Sequence, residues 1–246
     1  SKEWEFVQAA SLALYDYLRK SKSKGFVLSL SGGADSSTIA VLVAEMVRRG
    51  ISELGIAAWI AKLGLPLSFG AEQPEKDLVR QLLTTAYQGT TNSSPSTFDS
   101  AKELAASIGA EFLNWSIEEE VQSYTQKIEE ALGRVLTWEQ DDLGLQNIQA
   151  RSRSPIIWLL ANVKNALLLS TSNRSEGDVG YATMDGDTSG SISPIAGVDK
   201  DFIIHWLQWA EKTLDLPGLK AVNALTPTAE LRPLDRSQTD ETDLMP

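Results

Sequence analysis

Two kinds of segment alternate along the chain: stretches whose apolar residues recur every three or four positions, and short runs that are apolar throughout. In residues 3–20, Trp4, Phe6, Val7, Ala10, Leu12, Leu14, Tyr15 and Leu18 fall near helical spacing, and the lysines from 20 to 24 close the segment. FVLSL (26–30) reads as a buried strand. SSTIAVLVAEMVRR (36–49) predicts a helix stopped by Gly50. Residues 62–77 are rich in Gly and Pro and predict a loop or short excursion. The pattern then gives a strand over 82–87, a helix over 94–109 with capping hydroxyls and a Gly stop, a strand over 111–117 and a helix over 117–133. A long amphipathic helix follows over 139–162, with Pro155 as the expected kink. ALLLST (166–171) has the unbroken apolar character of a strand covered on both faces. A loop rich in Gly, Asp and Ser (177–197), a Trp-bearing helix (200–214) and a polar tail complete the chain.

Strands alternating with helices predict an α/β fold, a doubly wound parallel sheet with helices on both faces, built as a single domain over 1–246. In such sheets ligands sit outside the carboxyl ends of the strands. Two strand ends carry chemistry: Leu30 runs into SGGADSS, and Leu169 runs into STSNRSE.

Composition narrows the classes. An apolar fraction of 42% argues for a packed core. A net charge of −11 argues against broad nucleic-acid binding, which needs clustered Lys and Arg, although a local site can still take a small phosphorylated ligand. The sequence holds no cysteine, which removes disulfides, thiolate metal sites and thiol nucleophiles and suits a reducing compartment. No apolar run approaches the roughly 20 residues that span a bilayer, and SKEWEFVQAAS is not a signal peptide. The expectation is a soluble cytoplasmic protein with no nucleic-acid or membrane partner. The lone histidine, His205 in IIHWLQW, is expected to be a packing residue, and Trp158, Trp206 and Trp209 core or subunit-interface residues.

The loop after the first strand is the most informative stretch. Glycines let backbone approach a phosphate, consecutive N–H groups form an anion nest, and the following helix adds free donors. Ser31, Ser36 and Ser37 offer hydroxyls. Asp35 repels phosphate unless a divalent cation stands between them. The plainer alternative is a strand–helix turn capped by Asp35 or Ser36. The loop is not a Walker A sequence, since it has no Lys.

S-G-G-x-D-S-S after a strand resembles the pyrophosphate loop of the N-type ATP pyrophosphatases, a group that includes the GMP, asparagine, argininosuccinate and NAD synthetases. Three later stretches resemble the NAD synthetases in particular. NIQARSR (147–153) is similar to their N-x-x-A-R-x-R segment; LSTSNRSEGDVGYATMDGD (169–187) to a strand ending in Thr, a Glu five residues later, then G-[FY]-x-T and G-D. PIAGVDK (194–200) with TPTAELRP (226–233) is similar to the Lys and P-[TS]-A-[DE]-L segments. The combination is most like the synthetase portion of glutamine-dependent NAD synthetases, whose fold is adenine nucleotide alpha hydrolase-like, or Rossmann-like.

The resemblance implies ATP-dependent amidation of deamido-NAD to NAD through an acyl-adenylate, releasing AMP and pyrophosphate. It implies ATP contacts at Ser29, Leu30, Ser31, Gly32, Gly33, Ala34, Asp35, Ser36, Ser37, Thr171, Lys200 and Thr228. Mg2+ would be held by Asp35 and Glu176, substrate contacts made by Arg151, Glu176 and Asp187, and the catalytic roles filled by Asp35 and Lys200. Deamido-NAD and ammonia would be the partners, with a homodimer formed through the N-terminal helix and the 139–162 helix. An N-terminal glutaminase domain on a longer chain is a further expectation, since a chain without cysteine cannot itself house the cysteine-dependent glutaminase. Two positions depart from the ammonia-dependent members: Met184-Asp185 replaces part of T-K-Y-G-D, and Ser191 stands where they have Asp. The chain also ends at Pro246, where members continue with a further helix. A GMP synthetase, or a nucleotide-binding module without turnover, are the alternatives.

Overall fold

The computed structural model describes residues 1–225 and 230–233. Helix α1 (Lys2–Ser21) leads into strand β1 (Phe26–Ser29), followed by α2 (Ala34–Leu54), α3 (Ile56–Leu63) and α4 (Pro74–Leu82). Strand β2 (Leu83–Gly89), α5 (Pro95–Ile108), β3 (Glu111–Ser116) and α6 (Glu118–Leu132) come next. Then follow α7 (Trp138–Lys164), β4 (Leu167–Leu169), α8 (Arg174–Val179), α9 (Lys200–Thr213) and α10 (Leu219–Ala224).

The sheet runs β3-β2-β1-β4 with every pairing parallel. Strands step outward from β1 to β3, then the chain returns to the other side of β1 as β4, so the order reverses between β1 and β4. That reversal opens a crevice at the carboxyl ends of the two strands, the usual ligand position in such sheets. Phe26, Leu28 and Leu169 enter the larger core with α1, α2, α4, α5 and α9, while Val27, Ala86 and Leu168 meet Ile157 and Ala161 of α7. Both faces are covered, as expected for a doubly wound sheet.

Helix α2 lies at the centre of the larger core: Ile39 through Val43 are fully buried, so the helix is apolar nearly all round. Its one buried charge, Glu45, is paired, with two 2.7 Å bonds from Arg48 and Arg49 at 3.4 Å.

Several expectations need correction. Gly50 does not stop α2, which continues to Leu54 and ends at Gly55 in a positive-φ conformation. Gly50 is small for another reason: a Cβ there would meet Trp59 Nε1 of α3 at 1.9 Å. The expected loop over 62–77 contains the end of α3 and the start of α4, and the loop over 177–197 loses its first residues to α8. Helix α7 leaves helical geometry at Asp141, not at Pro155. Asp141 is held there by a bidentate pair with Arg134 (2.7 and 2.8 Å) and by the Thr137 N–H at 3.0 Å. His205 is not packed: its side chain is exposed and lies 3.0 Å from Glu3. Trp206 is fully buried and Trp209 and Trp158 pack at the core edges, as expected.

Candidate functional site

The loop between β1 and α2 is organised before any ligand arrives. Leu30 is fully buried and extends the ladder through its N–H to Ala86 O at 2.9 Å. Ser31 and Ser36 share a 3.1 Å hydroxyl contact; the Ser31 N–H donates to Ser36 Oγ, and Ser36 Oγ donates to Gly33 O. Gly32 adopts φ +84°, and a Cβ there would lie 2.2 Å from Thr97 O of α5. Its carbonyl accepts a 3.2 Å bond from Ser100 Oγ. Gly32 therefore allows the loop to press against α5. Gly33 is the N-cap of α2 and offers no side-chain cap, so the first-turn N–H groups of Ala34, Asp35 and Ser36 stay available to an anion.

Across the crevice, Asn173 caps α8 by a capping box: its Oδ1 accepts from the Glu176 N–H at 3.0 Å, and its N–H donates to Glu176 Oε2 at 3.3 Å. The other end of the Asn173 amide donates to Asp35 Oδ1 at 3.0 Å, so one side chain spaces the two carboxylates. Lys200, the first residue of α9, donates to Asp35 Oδ2. Burial, and next the negative charge of Asp35, push the Glu176 carboxyl up to about 8, with Lys200 opposing.

Ser29, Ser31, Gly33, Ala34, Asp35 and Ser36 line one wall of a cavity of about 540 Å3, with Thr171, Glu176, Asp187 and Lys200 on the other. That volume suits a nucleotide-sized ligand. Asp35 and Glu176 also fit a divalent cation: two hard oxygen donors share the cavity, and one is kept neutral by burial and the other's charge, a penalty that a cation would relieve. No cluster of three or more His, Cys, Asp or Glu is set for a metal among the described residues, so the remaining ligands of such an ion would have to come from bound phosphate or water.

Four expected site residues do not line the cavity. Leu30 and Gly32 stand behind it, and Ser37 is fully buried with its hydroxyl unpartnered. Arg151 is exposed and donates to Met184 O at 3.0 Å. Arg153, two residues on, faces inward instead: it lines the cavity, donates from Nε to Gln88 O at 3.2 Å, and has its pKa lowered by burial while Asp187 opposes that shift. Thr228 lies outside the described residues. Ser191 accepts from the Leu168 N–H at 3.3 Å and, with Ile192, runs parallel beside β4. Met184 is exposed.

Sequence reasoning did not single out the residues that close the cavity on the α5 side. Glu230 accepts from Thr97 Oγ1 at 2.9 Å and from the Ser94 N–H at 3.3 Å. Leu231 O accepts from Gln149 Nε2 at 2.6 Å and Asn92 Nδ2 at 3.3 Å, and Arg232 pairs with Asp142 at 2.8 and 3.0 Å. The PTAEL string was singled out for Thr228, and its acid, Glu230, was not.

Comparison with known proteins adds an independent line. A family model described as NAD synthase matches residues 6–246. The glutamine-dependent NAD(+) synthetase of Oryza sativa subsp. indica is 35% identical over 263 residues, covering 98% of this chain and 36% of the relative. The glutamine-dependent NAD(+) synthetase of Homo sapiens is 32% identical over 99% of this chain and 38% of its own length. Among solved structures, a glutamine-dependent NAD(+) synthetase from Cytophaga hutchinsonii superposes with a TM-score of 0.87 at 58% identity, covering 96% of this chain and 41% of that one. The chain spans 36% to 41% of the length of these relatives. The match takes in all four strands and both walls of the cavity, and by it the chain belongs to the NAD synthase family.

Proposed function

We propose that this chain is an ATP-dependent ligase that amidates the nicotinate carboxylate of deamido-NAD with ammonia, releasing AMP and pyrophosphate. The observation that carries the reading is the convergence, in one crevice, of an uncapped helix start, the Asp35–Glu176 carboxylate pair, Thr171 and Lys200. An anion nest faced by carboxylates suits a metal-bridged polyphosphate and little else.

In this reading the pyrophosphate of ATP lies on the first turn of α2, with the N–H groups of Ala34, Asp35 and Ser36 as donors. Asp35 and Glu176 would hold Mg2+, which when bound supplies positive charge against the pyrophosphate leaving group. Lys200 exchanges Asp35 for a phosphate oxygen. A carboxylate oxygen of the nicotinate attacks the α-phosphorus, and the bond to pyrophosphate breaks, leaving a mixed acyl phosphate anhydride. Ammonia then adds to the activated carbonyl, loses a proton, and AMP departs. Arg153, with Asp187 opposite, would orient the dinucleotide from the α7 side.

The reading extends to the surroundings. A glutaminase domain on the same polypeptide would supply ammonia, a reading supported by the glutamine-dependent NAD(+) synthetases that this chain resembles, and the setting would be cytoplasmic. A second copy would dock on α7, where Leu159 and Val163 sit one turn apart at 63% and 76% exposure. Sedimentation of wild type and Val163→Glu tests this: a dimer that the substitution dissociates is expected, and a wild-type monomer overturns it.

The activity test is incubation with ATP, Mg2+ and ammonium together with either deamido-NAD or XMP. NAD, AMP and pyrophosphate are expected from the first and no GMP from the second. Formation of GMP without NAD overturns the reading.

A further inference from the structure

Three polar side chains cross the carboxyl edge of the sheet in a row, one from each of three neighbouring strands. Gln88 on β2 is in register with Trp115 on β3, and Ser29 on β1 is in register with Ala86, two residues before Gln88. Trp115 Nε1 donates to Gln88 Oε1 at 3.2 Å, and Gln88 Nε2 donates to Ser29 Oγ at 3.1 Å. An indole N–H only donates, so the Gln88 amide has one orientation that satisfies it, oxygen toward Trp115 and nitrogen toward Ser29. Gln88 is 5% exposed and its side-chain amide is held at both ends, so the amide has little freedom to turn.

The string therefore has a direction, from the indole to the crevice. Gln88 occupies one of the two lone pairs of Ser29 Oγ and leaves its O–H free to donate, and that hydroxyl makes no other hydrogen bond among the described residues. Ser29 also lines the cavity, two residues ahead of the phosphate loop.

We propose that Gln88, held by Trp115, is a positioning residue for the bound nucleotide: by donating to Ser29 Oγ it keeps the Ser29 O–H turned toward a hydrogen-bond acceptor of that nucleotide. The inference rests on the reading of this cavity as the ATP site. It assigns Ser29 a side-chain role that its neighbours in the loop, which act through backbone N–H groups, do not have. It also makes nucleotide affinity depend on two residues of other strands.

Gln88→Glu tests the direction. The glutamate keeps the side-chain volume and the acceptor for Trp115, but its ionised carboxylate presents an acceptor to Ser29. The hydroxyl then donates inward and turns its lone pairs to the ligand. Calorimetric ATP binding and steady-state kinetics on the full chain are the measurements, with thermal melts to verify folding. Gln88→Glu is expected to weaken ATP about tenfold at pH 8.5, a little more than one lost hydrogen bond, while kcat at saturation changes less than about threefold. Affinity should recover as the pH falls and the carboxyl regains a proton to donate. Gln88→Met, which breaks the string without reversing it, should weaken ATP less than Gln88→Glu.

In a Ser29→Ala background, Gln88→Glu should add nothing. An equal loss in that background would mean that the new carboxylate acts on the ligand directly, and would overturn the inference, as would unchanged ATP affinity in Gln88→Glu. A wild-type protein that binds no ATP would overturn the cavity reading and this inference with it. Wild-type binding without coupling between the two residues overturns this inference alone.

Discussion

Lys200 Nζ donates to Asp35 Oδ2 across the cavity, joining the start of α9 to the first turn of α2. Cation and carboxylate hold each other where a polyphosphate and a divalent cation would otherwise separate them. On the proposed reading, binding would exchange this ion pair for contacts of Lys200 with phosphate and of Asp35 with the cation. On the proposed reading, Lys200→Met removes a charge whose main effect would come as the leaving group develops. It should lower kcat by about 10²- to 10³-fold and raise the KM for ATP by less than about tenfold. Comparable losses in both constants would assign Lys200 to ground-state binding alone.

Glu176 gives the ligand-free protein a pH dependence of defined sign. Its folded pKa of about 8 lies above the ordinary value of 4.5, so between the two the folded state keeps a proton that the unfolded chain releases. Stability should fall as pH rises from about 4.5 to about 8, lowering the melting midpoint across that range. Glu176→Gln should flatten that slope. A melting midpoint that rises across this range in the wild type, or a slope unchanged in Glu176→Gln, would contradict the assignment.

The two adjacent glycines of the loop separate packing from ligand approach. Gly32→Ala places a Cβ 2.2 Å from Thr97 O at a positive φ, so it should destabilise the fold by about 2–4 kcal/mol. At Gly33 the backbone is extended and a Cβ meets only Ser31 Oγ at 3.4 Å, so Gly33→Ala should cost less than about 1 kcal/mol. Its effect should be on ATP affinity, because the methyl group would occupy the face that a phosphate approaches. Thermal melts combined with ATP titration read both.

Arg151 and Arg153 make a second contrast. Arg151→Ala breaks one bond to an exposed carbonyl and should change turnover less than about threefold. Arg153→Met removes the cavity-facing guanidinium and should raise the KM for the dinucleotide by about tenfold or more. Equal effects would show that both arginines reach the substrate.

The sequence made the sheet, its order of elements and the two strand ends of the site legible, because buried parallel strands leave unbroken apolar runs and the SGGADSS string follows one of them directly. It did not separate Arg151 from Arg153: two positions apart on a helix guarantees different directions but not which one faces the sheet. Helix α4 carries Pro74 at its start, acids in its first turn and Arg80 in its last, all readable start and stop signals. The Gly- and Pro-rich stretch before it masked them. Trp115 read as an ordinary strand residue and Gln88 fell just past the expected end of the second strand; only the register of β2 against β3 brings their side chains together. Glu230 needed the whole chain in place to find Thr97.

The strand order has a consequence for how the protein is made. Strand β1 is central, but one of its edges stays open until β4 is synthesised about 140 residues later, which at ribosomal speed is roughly 7 to 28 seconds. During that interval Phe26, Val27 and Leu28 can pair on one side only, and the backbone groups that β4 will satisfy are exposed to other nascent chains. Neither Thr171 nor Glu176 exists yet, so no ligand held between the two strand ends can stabilise the intermediate. Newly made chains should therefore be most prone to aggregation, and most dependent on chaperones, just before the segment that completes the crevice emerges.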